Sequence, residues 1–472
     1  MNETVQRTRA DDGVIEALQV ALGAGAVLSG ADVPDRNARD WGHLPGIAPR
    51  AVVRPADPEG VAATLRICHA AGVPVVPQGG LTGLCGGARP VPGAVALSLE
   101  RLNGIVELDP DSATMTVLAG TPLQVVQQAA EDAGFYFALD LGARGSCTIG
   151  GNLSTNAGGN RVIRYGMMRE LVLGLQVALP DGTLVTSLNR MLKNNAGYDV
   201  KQLFIGSEGT LGVITQAVLR LHPKPRAQMA ALCALADFPA VLRLLAGARS
   251  RLGPLLSAFE VMWPDYWQVA TREVPGVRTP IAGDHGAYVL VEAQGMDEAI
   301  DGERFEAWLG AELEAGVLED AAVARSLADI RAFWGTRDAC AEFGLVLGPH
   351  VSFDIGLPVA KMDTFARASG AGLAAALPGC RSLHYGHIAD GNMHIVAWVP
   401  GADPQPAETI EETVYDLVRS HGGTISAEHG IGLSKKHFLP YTRSPEELAL
   451  MQALKRALDP QGLLNPGKVI DV

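Results

Sequence analysis

Four of the eleven histidines lie in two short glycine-containing segments in the last quarter of the chain. The first segment runs from His384 through His387 to His394, and the second begins with the pair Glu428-His429. Two imidazoles and one carboxylate with an open coordination position form the ligand set of a catalytic zinc site, which other divalent metals also accept. A single histidine is more often structural, but this combination indicates His387, His394 and Glu428 as candidate metal ligands.

The residues between His387 and His394 have the pattern of a β-hairpin. Ala389 to Asn392 are four turn-forming residues between two apolar arms. With that turn, His387 is predicted to lie directly opposite His394, where Cβ atoms are about 4.5–5.5 Å apart and two imidazoles can share one metal. His384 lies three residues before His387, so it is predicted to point to the other face of the strand and is interpreted as structural.

Two glycine-rich segments without charged side chains lie in the first half of the chain. Residues 77–87 follow a predicted strand and contain five glycines and Thr82. Backbone N–H groups in such a loop suit phosphate binding. The segment is neither G-x-G-x-x-G nor a Walker loop, and strand rather than helix is predicted after it, which argues against a Rossmann turn. A long glycine-rich turn without a ligand is the alternative.

The second segment, residues 145–160, also contains five glycines. It is too long for an ordinary connection. Small residues at this density let the backbone approach a flat or phosphorylated ligand. A flexible linker is the alternative, although Ile149, Leu153 and the asparagines favour an ordered segment.

These two loops, together with residues 193–199 (KNNAGYD) and 204–215 (FIGSEGTLGVIT), resemble the FAD-binding domain of the vanillyl-alcohol-oxidase flavoprotein superfamily. The resemblance extends over most of residues 46–470 and is to the branch of D-lactate, D-2-hydroxyglutarate and glycolate dehydrogenases. It implies an α+β, two-domain flavoprotein, with an FAD domain of two α/β subdomains and a substrate or cap domain with an antiparallel sheet and flanking helices. Neither glycine loop contains a histidine for covalent attachment, so a noncovalent FAD is expected.

The resemblance also implies roles for individual residues. It implies that the FAD is bound by residues from four parts of the sequence: Pro77, Gly79, Gly80, Leu81, Thr82, Gly83, Ser146, Gly150, Gly151, Ser154, Asn156, Ala157, Gly159, Gly212, Ile214 and Asn465. His387, His394 and Glu428 match the metal ligands of the family, with Zn²⁺ as the expected ion, and His429 matches its general base. Arg337 matches the arginine that binds the substrate carboxylate, and further substrate-binding candidates are Ser352, His350 and Asn392.

The predicted reaction is oxidation of a D-2-hydroxy acid to the 2-oxo acid. The metal lowers the pKa of the substrate hydroxyl, His429 removes its proton, and hydride passes from C2 to flavin N5. Where the hydroxyglutarate branch holds a distal carboxylate, this sequence has Ala341, Ser352 and Val396. We therefore expect a D-lactate-like or more apolar acid, although His350, predicted on the same strand face as Ser352, could partly substitute.

Three alternatives remain open at this point. D-2-hydroxyglutarate is the alternative substrate. A non-redox metal hydrolase would use the histidine–glutamate site without the glycine loops. A non-catalytic subunit of a larger flavoprotein complex would bind FAD without oxidising substrate alone.

The predicted elements divide the chain into four parts. Residues 1–45 form a helix and a connector, and residues 46–225 form the FAD-binding domain. Residues 226–420, in which 226–249 are predicted to be helical, form the substrate or cap domain. Residues 421–472 form a C-terminal segment that returns to the FAD domain.

Composition limits the partners. Lys plus Arg number 38 and Asp plus Glu 51, giving a net charge of −13, which argues against nucleic acid. Six cysteines without a C-x-x-C pair indicate a reduced chain.

The first residues lack the apolar part of a secretory signal, so we expect a cytoplasmic protein or one peripheral to the inner membrane. No nicotinamide motif is visible, so the expected electron acceptor is a quinone, a cytochrome or an electron-transfer flavoprotein. A homodimer is compatible with the sequence.

Overall fold

The computed structural model describes residues 13–472, which pack as two compact units. Unit 1 comprises residues 13–159, 166–224 and 428–472, and the first twelve residues of the predicted N-terminal segment 1–45 lie outside the described residues. Unit 2 comprises residues 160–165 and 225–427. The sequence places domain changes after residues 225 and 420, and the structure changes unit after residues 224 and 427.

Unit 1 is built on three sheets. Its strands are β1 (Val27–Ser29), β2 (Ala51–Val53), β3 (Val75–Gln78), β4 (Val95–Ser98), β5 (Ile105–Asp109), β6 (Thr114–Leu118), β7 (Phe135–Tyr136), β8 (Val172–Ala178), β9 (Leu184–Ser187), β10 (Val213–Arg220) and β11 (His222–Pro223). The first sheet has the order β1-β2-β4-β3, with β2, β4 and β3 parallel. The second has the order β5-β6-β10-β8-β9 and is antiparallel, and β7 pairs with β11.

Unit 2 contains one antiparallel sheet of seven strands. They are β12 (Ala227–Leu235), β13 (Leu256–Met262), β14 (Ala287–Gly295), β15 (Asp320–Val323), β16 (Val351–Gly356), β17 (Arg381–His387) and β18 (Asn392–Trp398), in the order β15-β12-β14-β13-β17-β18-β16. β13 and β14 are buried along their whole length. Their acidic side chains, Glu260 and Glu292, therefore need partners inside the protein.

The helices carry recognisable start signals. They are α1 (residues 13–22), α2 (Pro58–Ala70), α3 (Leu123–Asp132), α4 (Ile149–Ser154), α5 (Val162–Tyr165), α6 (Phe238–Arg251), α7 (Pro264–Arg272), α8 (Glu298–Glu314), α9 (Leu327–Arg337), α10 (Phe343–Val346), α11 (Met362–Ala376), α12 (Ala407–Ser420) and α13 (Pro445–Leu458). Asp57 caps α2 by accepting from the backbone N–H of Gly60. Ser444 and Glu447 form a capping box on α13, with Pro445 at its first position. Within residues 13–472, no helix is both long enough and apolar enough to span a membrane.

The α+β class, with an antiparallel sheet and flanking helices in the second domain, is confirmed. The helix predicted over residues 226–249 is wrong in its first part, because Ala227–Leu235 form β12 and helix begins only at Phe238. Alanine and leucine favour helix in isolation. Here the segment lies between β14 and β15, and six consecutive residues of it, from Ala230 on, are buried.

The residues Asn160–Tyr165, which contain α5, are anchored in the sheet of unit 2. Arg161 donates from Nε and Nη2 to the two carboxylate oxygens of Glu292 on β14, at 2.9 and 3.1 Å. The Tyr165 hydroxyl donates to Oε1 of Gln294 at 3.1 Å. The chain therefore leaves the second glycine segment directly into unit 2.

Candidate active site

The first glycine loop begins where β3 ends and is fixed at both ends by Gln78. The Gln78 amide accepts from Asn37 Nδ2 at 2.7 Å and donates to the carbonyls of Asn37 and Ala88 at 2.9 and 3.0 Å. At Gly80 an added Cβ would lie 2.0 Å from the carbonyl oxygen of Ser146. Only glycine fits there, because the first loop packs directly on the second.

The second glycine segment is ordered rather than a linker. Its middle forms the short helix α4, and the N–H of Gly150 donates to the carbonyl of Ala119 at 2.7 Å. An added Cβ at Gly150 would lie 2.7 Å from the Cβ of Ala119, and one at Gly79 would lie 2.6 Å from Oγ1 of Thr148. These glycines are explained by close packing against Ala119 and the Thr148 side chain.

Two further segments complete this part of unit 1. The N–H of Glu208 donates to the carbonyl of Ser154 at 2.8 Å. Asn465 lies next to the bridge between Val75 and Leu464, and its Nδ2 donates to the carbonyls of Gly87 and Glu208 at 3.1 and 2.8 Å. Asn465 thus ties the first loop to the segment around Glu208.

The predicted FAD residues are placed together in unit 1 as follows. Pro77 lies in β3, and Gly79, Gly80, Leu81, Thr82 and Gly83 follow it in the first loop. Ser146, Gly150, Gly151, Ser154, Asn156, Ala157 and Gly159 lie in and around α4. Gly212 precedes β10, Ile214 lies in β10 and pairs with Val177, and Asn465 is buried.

Backbone strain in these segments fits a ligand-binding role. Leu81, Asn156, Glu208 and Asn465 are non-glycine residues with φ of 59°, 49°, 53° and 46°. Such conformations cost about 1–3 kcal/mol each and cluster at functional sites.

Unused hydrogen-bonding capacity is concentrated in the same segments. Thr148 Oγ1 and Asn465 Oδ1 are buried without a hydrogen-bond partner in the described part of the chain. Polar atoms of this kind need a partner. A polar, extended group such as FAD, bound mainly by backbone, would supply one, so the residues present fit this cofactor.

Sequence reasoning missed Glu208 as a functional residue. Its carboxylate accepts from the N–H groups of Ile431 and Gly432 at 2.7 and 2.9 Å. Burial raises the pKa of Glu208, while these two hydrogen bonds act in the opposite direction. Glu208 therefore holds the segment that directly follows His429. The signal was available, because Glu208 is the only charged residue in Phe204–Thr215.

In unit 2, His387 and His394 lie side by side but are not directly opposed. His394 on β18 pairs with Tyr385 on one side and Asp354 on the other, while His387 pairs with Glu260 on β13. The predicted register is wrong by two residues, because the β17–β18 ladder ends before the turn. The two rings still lie with centroids 5.3 Å apart at 82°, as diagonal neighbours on one face.

A buried arginine and a buried glutamate accompany His387. Arg337, the last residue of α9, donates from Nε to Oε2 of Glu260 at 2.8 Å, and its Nη2 lies 3.0 Å from Nε2 of His387. Nδ1 of His387 lies 2.6 Å from Oε1 of Glu260. Burial would raise the pKa of Glu260, but His387 and Arg337 outweigh it and hold this pKa at about 2. Arg337 is thus a buried member of a cluster, not a surface helix residue.

The other predicted residues of unit 2 are more dispersed. His384 is buried on the opposite face, with Nδ1 3.0 Å from Asp265 and Nε2 2.9 Å from Ser369, which supports a structural role. Ser352 is exposed on β16. His350 precedes β16 instead of lying in it, so the shared strand face predicted for these two residues is wrong; His350 Nδ1 lies 2.9 Å from the carbonyl of Gly348.

Asn392 is linked to the end of unit 2 through Asp354. The Asn392 side chain donates to Oδ1 of Asp354 at 3.0 Å. The other oxygen of Asp354 accepts from Ser426 Oγ and from the N–H of Ala427, both at 3.2 Å. Glu428 follows Ala427 and is the first residue of the last segment of unit 1. Because Glu428 and His429 belong to unit 1, their grouping with His387 and His394 stays a prediction.

Comparison with known sequences identifies both parts of the chain. Residues 49–187 match the family described as FAD binding domain, and residues 224–469 match FAD linked oxidases, C-terminal domain. The chain is 39% identical over 438 residues to a D-2-hydroxyglutarate dehydrogenase of Xanthomonas citri pv. viticola, covering 92% of each chain. It is 37% identical over 431 residues to the mitochondrial D-2-hydroxyglutarate dehydrogenase of Arabidopsis thaliana, covering 91% of this chain and 77% of that one.

Solved structures with the same fold are much more distant in sequence. p-Cresol methylhydroxylase superposes with a TM-score of 0.76 at 16% identity, covering 98% of this chain and 97% of that one. The 4-ethylphenol oxidase of Gulosibacter chungangensis superposes with a TM-score of 0.73 at 17% identity, with the same coverage. The fold expected from the resemblance is confirmed by these superpositions, and this chain belongs to the family of FAD-linked oxidases.

Proposed function

We propose that this chain is an FAD-dependent dehydrogenase that oxidises a D-2-hydroxy acid to the 2-oxo acid, with a divalent metal, expected to be Zn²⁺, at His387, His394 and Glu428. The observation that carries the proposal is the buried contact between Arg337 and His387. It sets a guanidinium suited to a carboxylate beside an imidazole suited to a metal. The relatives named D-2-hydroxyglutarate dehydrogenase support the substrate class, and the FAD-binding domain supports the cofactor.

Two of the proposed metal ligands fit that role by chemistry and spacing. The rings of His387 and His394 are adjacent, and His387 has a carboxylate at its other nitrogen. Metal-ligating histidines almost always make such a second hydrogen bond. Glu428 is proposed as the third ligand, and its support is the anchoring of the preceding residue, Ala427, on Asp354.

The proposal gives each of the remaining site residues a defined task. Arg337 binds the substrate carboxylate through its Nη atoms, which would leave their contacts with Asp338 and His387, because its Nε is held by Glu260. His429 accepts the proton of the substrate hydroxyl, a task for which an imidazole is suited. When bound, FAD supplies the hydride acceptor and a divalent metal supplies the Lewis acid that lowers the pKa of the hydroxyl.

The length of the substrate is the finer part of the proposal. Ala341 and Ser352 are exposed, and Val396 is buried opposite Ser352 in the β16–β18 register. None of these side chains carries a positive charge for a distal carboxylate, which favours a D-lactate-like or apolar acid. The names of the relatives favour D-2-hydroxyglutarate as the second candidate.

The electron acceptor is proposed from chemistry alone. A quinone, a cytochrome or an electron-transfer flavoprotein remains our proposal. A relative of Saccharomyces cerevisiae, 35% identical over 426 residues, is named D-2-hydroxyglutarate–pyruvate transhydrogenase, which adds a 2-oxo acid to these candidates.

Anaerobic absorption spectra of the purified chain test the proposal. We expect a flavin spectrum that bleaches with D-lactate or D-2-hydroxybutyrate more readily than with D-2-hydroxyglutarate, and not with L-lactate. Prior treatment with a chelator should prevent bleaching, and Zn²⁺ should restore it. Bleaching by the chain alone would exclude a hydrolase and a non-catalytic subunit. A colourless protein that cannot be reconstituted with FAD would refute the proposal, and bleaching indifferent to chelator would remove the metal from it.

A further inference from the structure

We infer that Glu260 is a positioning residue that fixes the tautomer of His387 and the orientation of Arg337 together. The inference rests on the proposed function, because it concerns the residue behind the proposed metal ligand and the proposed carboxylate-binding arginine.

The hydrogen-bond partners determine the tautomer of His387. A guanidinium can only donate, so the contact of 3.0 Å from Arg337 Nη2 requires that Nε2 of His387 accepts. In this arrangement the hydrogen of His387 lies on Nδ1, and Nε2 is the accepting nitrogen. That hydrogen points to Oε1 of Glu260, with Nδ1 and Oε1 2.6 Å apart.

The other oxygen of Glu260 is used by Arg337. Oε2 accepts from Arg337 Nε at 2.8 Å, so each oxygen of this carboxylate faces one N–H donor. The side chain of Glu260 is 1% exposed, which leaves no access for water as a substitute partner. The adjacent guanidinium also favours the ionised carboxylate, which accepts on both oxygens.

The backbone makes this arrangement rigid. β13 is buried throughout and pairs with β14 and β17, and Glu260 lies directly opposite His387 in the register with β17. With the hydrogen of His387 held on Nδ1, Nε2 is the ring nitrogen whose lone pair could bind a metal, which would replace the contact from Arg337 Nη2. One carboxylate on a central strand thus aligns two groups of different function.

Glu260→Gln is a sharp test, because an amide has one accepting oxygen and one donating nitrogen. Arg337 Nε cannot accept, so the amide oxygen must face it and the amide nitrogen must face Nδ1 of His387. The Nδ1–H tautomer then loses its acceptor, and the competing tautomer carries its hydrogen on Nε2, where it blocks metal binding. We expect Zn²⁺ affinity to fall about 10–100-fold. Glu260→Asp keeps two accepting oxygens and should lose less than Glu260→Gln.

Glu292→Gln is the matched control. Glu292 lies on β14, is also 1% exposed, and accepts from Arg161, Ser257 and Trp334, but from no histidine. The variant Glu292→Gln therefore reproduces the loss of a buried carboxylate beside an arginine. Its Zn²⁺ affinity should stay within about twofold of wild type.

Two measurements on the FAD-loaded protein decide the outcome. Competition with a chromophoric chelator gives Zn²⁺ affinity, with flavin absorbance reporting retained FAD. Nitrogen-15 NMR of labelled histidine in metal-free protein, with His387→Ala to identify the signal, should show the Nδ1–H tautomer in wild type and its loss in Glu260→Gln. Equal Zn²⁺ affinity in Glu260→Gln and Glu292→Gln, or an Nε2–H tautomer in wild type, would overturn the inference. A wild-type chain that binds no Zn²⁺ would instead refute the metal in the proposed function, while the NMR result still judges the tautomer.

Discussion

Replacing Arg337 with methionine should destabilise unit 2 and weaken substrate binding at the same time, because its guanidinium pairs with Glu260 and is proposed to bind the substrate carboxylate. The Arg337 side chain is 9% exposed and its partner Glu260 is 1% exposed. Breaking a buried ion pair by removing one partner costs about 3–5 kcal/mol, since the remaining charge is uncompensated. At about 2–4 °C per kcal/mol for a domain of this size class, the Tm of unit 2 should fall by about 6–20 °C.

Two further variants separate the effects. Arg161→Met removes the cation beside Glu292, but Ser257 and Trp334 still donate to that carboxylate, so the loss of Tm should be smaller. Its KM for the 2-hydroxy acid should equal that of wild type. The double variant Glu260→Met with Arg337→Met removes both charges and should recover much of the lost Tm, because apolar replacement of a buried pair is often neutral.

Differential scanning calorimetry of the FAD-loaded proteins, with steady-state KM for the hydroxy acid, provides the assay. Arg337→Met should raise KM at least tenfold. A Tm of Arg337→Met within about 2 °C of wild type would show that the buried charge of Glu260 does not need Arg337 for its compensation. An equal rise of KM in Arg161→Met would show that Arg337 acts through general stability rather than through the substrate carboxylate.

Three other predictions concern unit 1. Gly80→Ala should lose bound FAD, because its Cβ would lie 2.0 Å from the carbonyl oxygen of Ser146. Gly25→Ala, where nothing lies within 4 Å of the added Cβ, should keep its FAD. The ratio of flavin to protein absorbance measures the bound FAD in both variants. Glu208→Gln should lower kcat about tenfold with FAD retained, because an amide can accept only one of its two backbone N–H groups; an unchanged kcat would contradict this. His429→Ala should abolish flavin reduction by substrate in stopped-flow spectra while FAD stays bound, and normal reduction would exclude it as the base.

The glycine loops could be predicted because their uncharged, glycine-rich composition is a local signal. The neighbours for which Gly79, Gly80 and Gly150 leave room, namely Thr148, Ser146 and Ala119, are distant along the chain and could not be predicted. The histidine hairpin was predicted in kind but not in register. The strand before the turn continues to His387 in order to pair with β13, and a partner strand so distant in sequence leaves no local signal.

The residues that sequence reasoning missed were mainly buried charged residues. Glu260 lies in the strand Leu256–Met262 as its one charged residue, and a lone charge in an apolar strand requires a buried partner. The sequence shows this requirement but not the partner, because Arg337 and His387 are far away along the chain. The strand β12 was missed because its alanines and leucines favour helix. Only its pairing with β14 and β15 makes this segment a strand.

The path of the chain between the two units limits how this protein can be divided. The chain passes from one unit to the other after residues 159, 165, 224 and 427. A fragment ending at residue 224 would lack Asn465, which bonds the first glycine loop, and a fragment of residues 225–427 would bury Glu292 without Arg161. A chimera with a related enzyme must therefore exchange residues 160–165 together with 225–427. A single proteolytic cut at residue 224 separates residues 428–472 from the rest of unit 1 and residues 160–165 from the rest of unit 2, so it cannot release either unit intact.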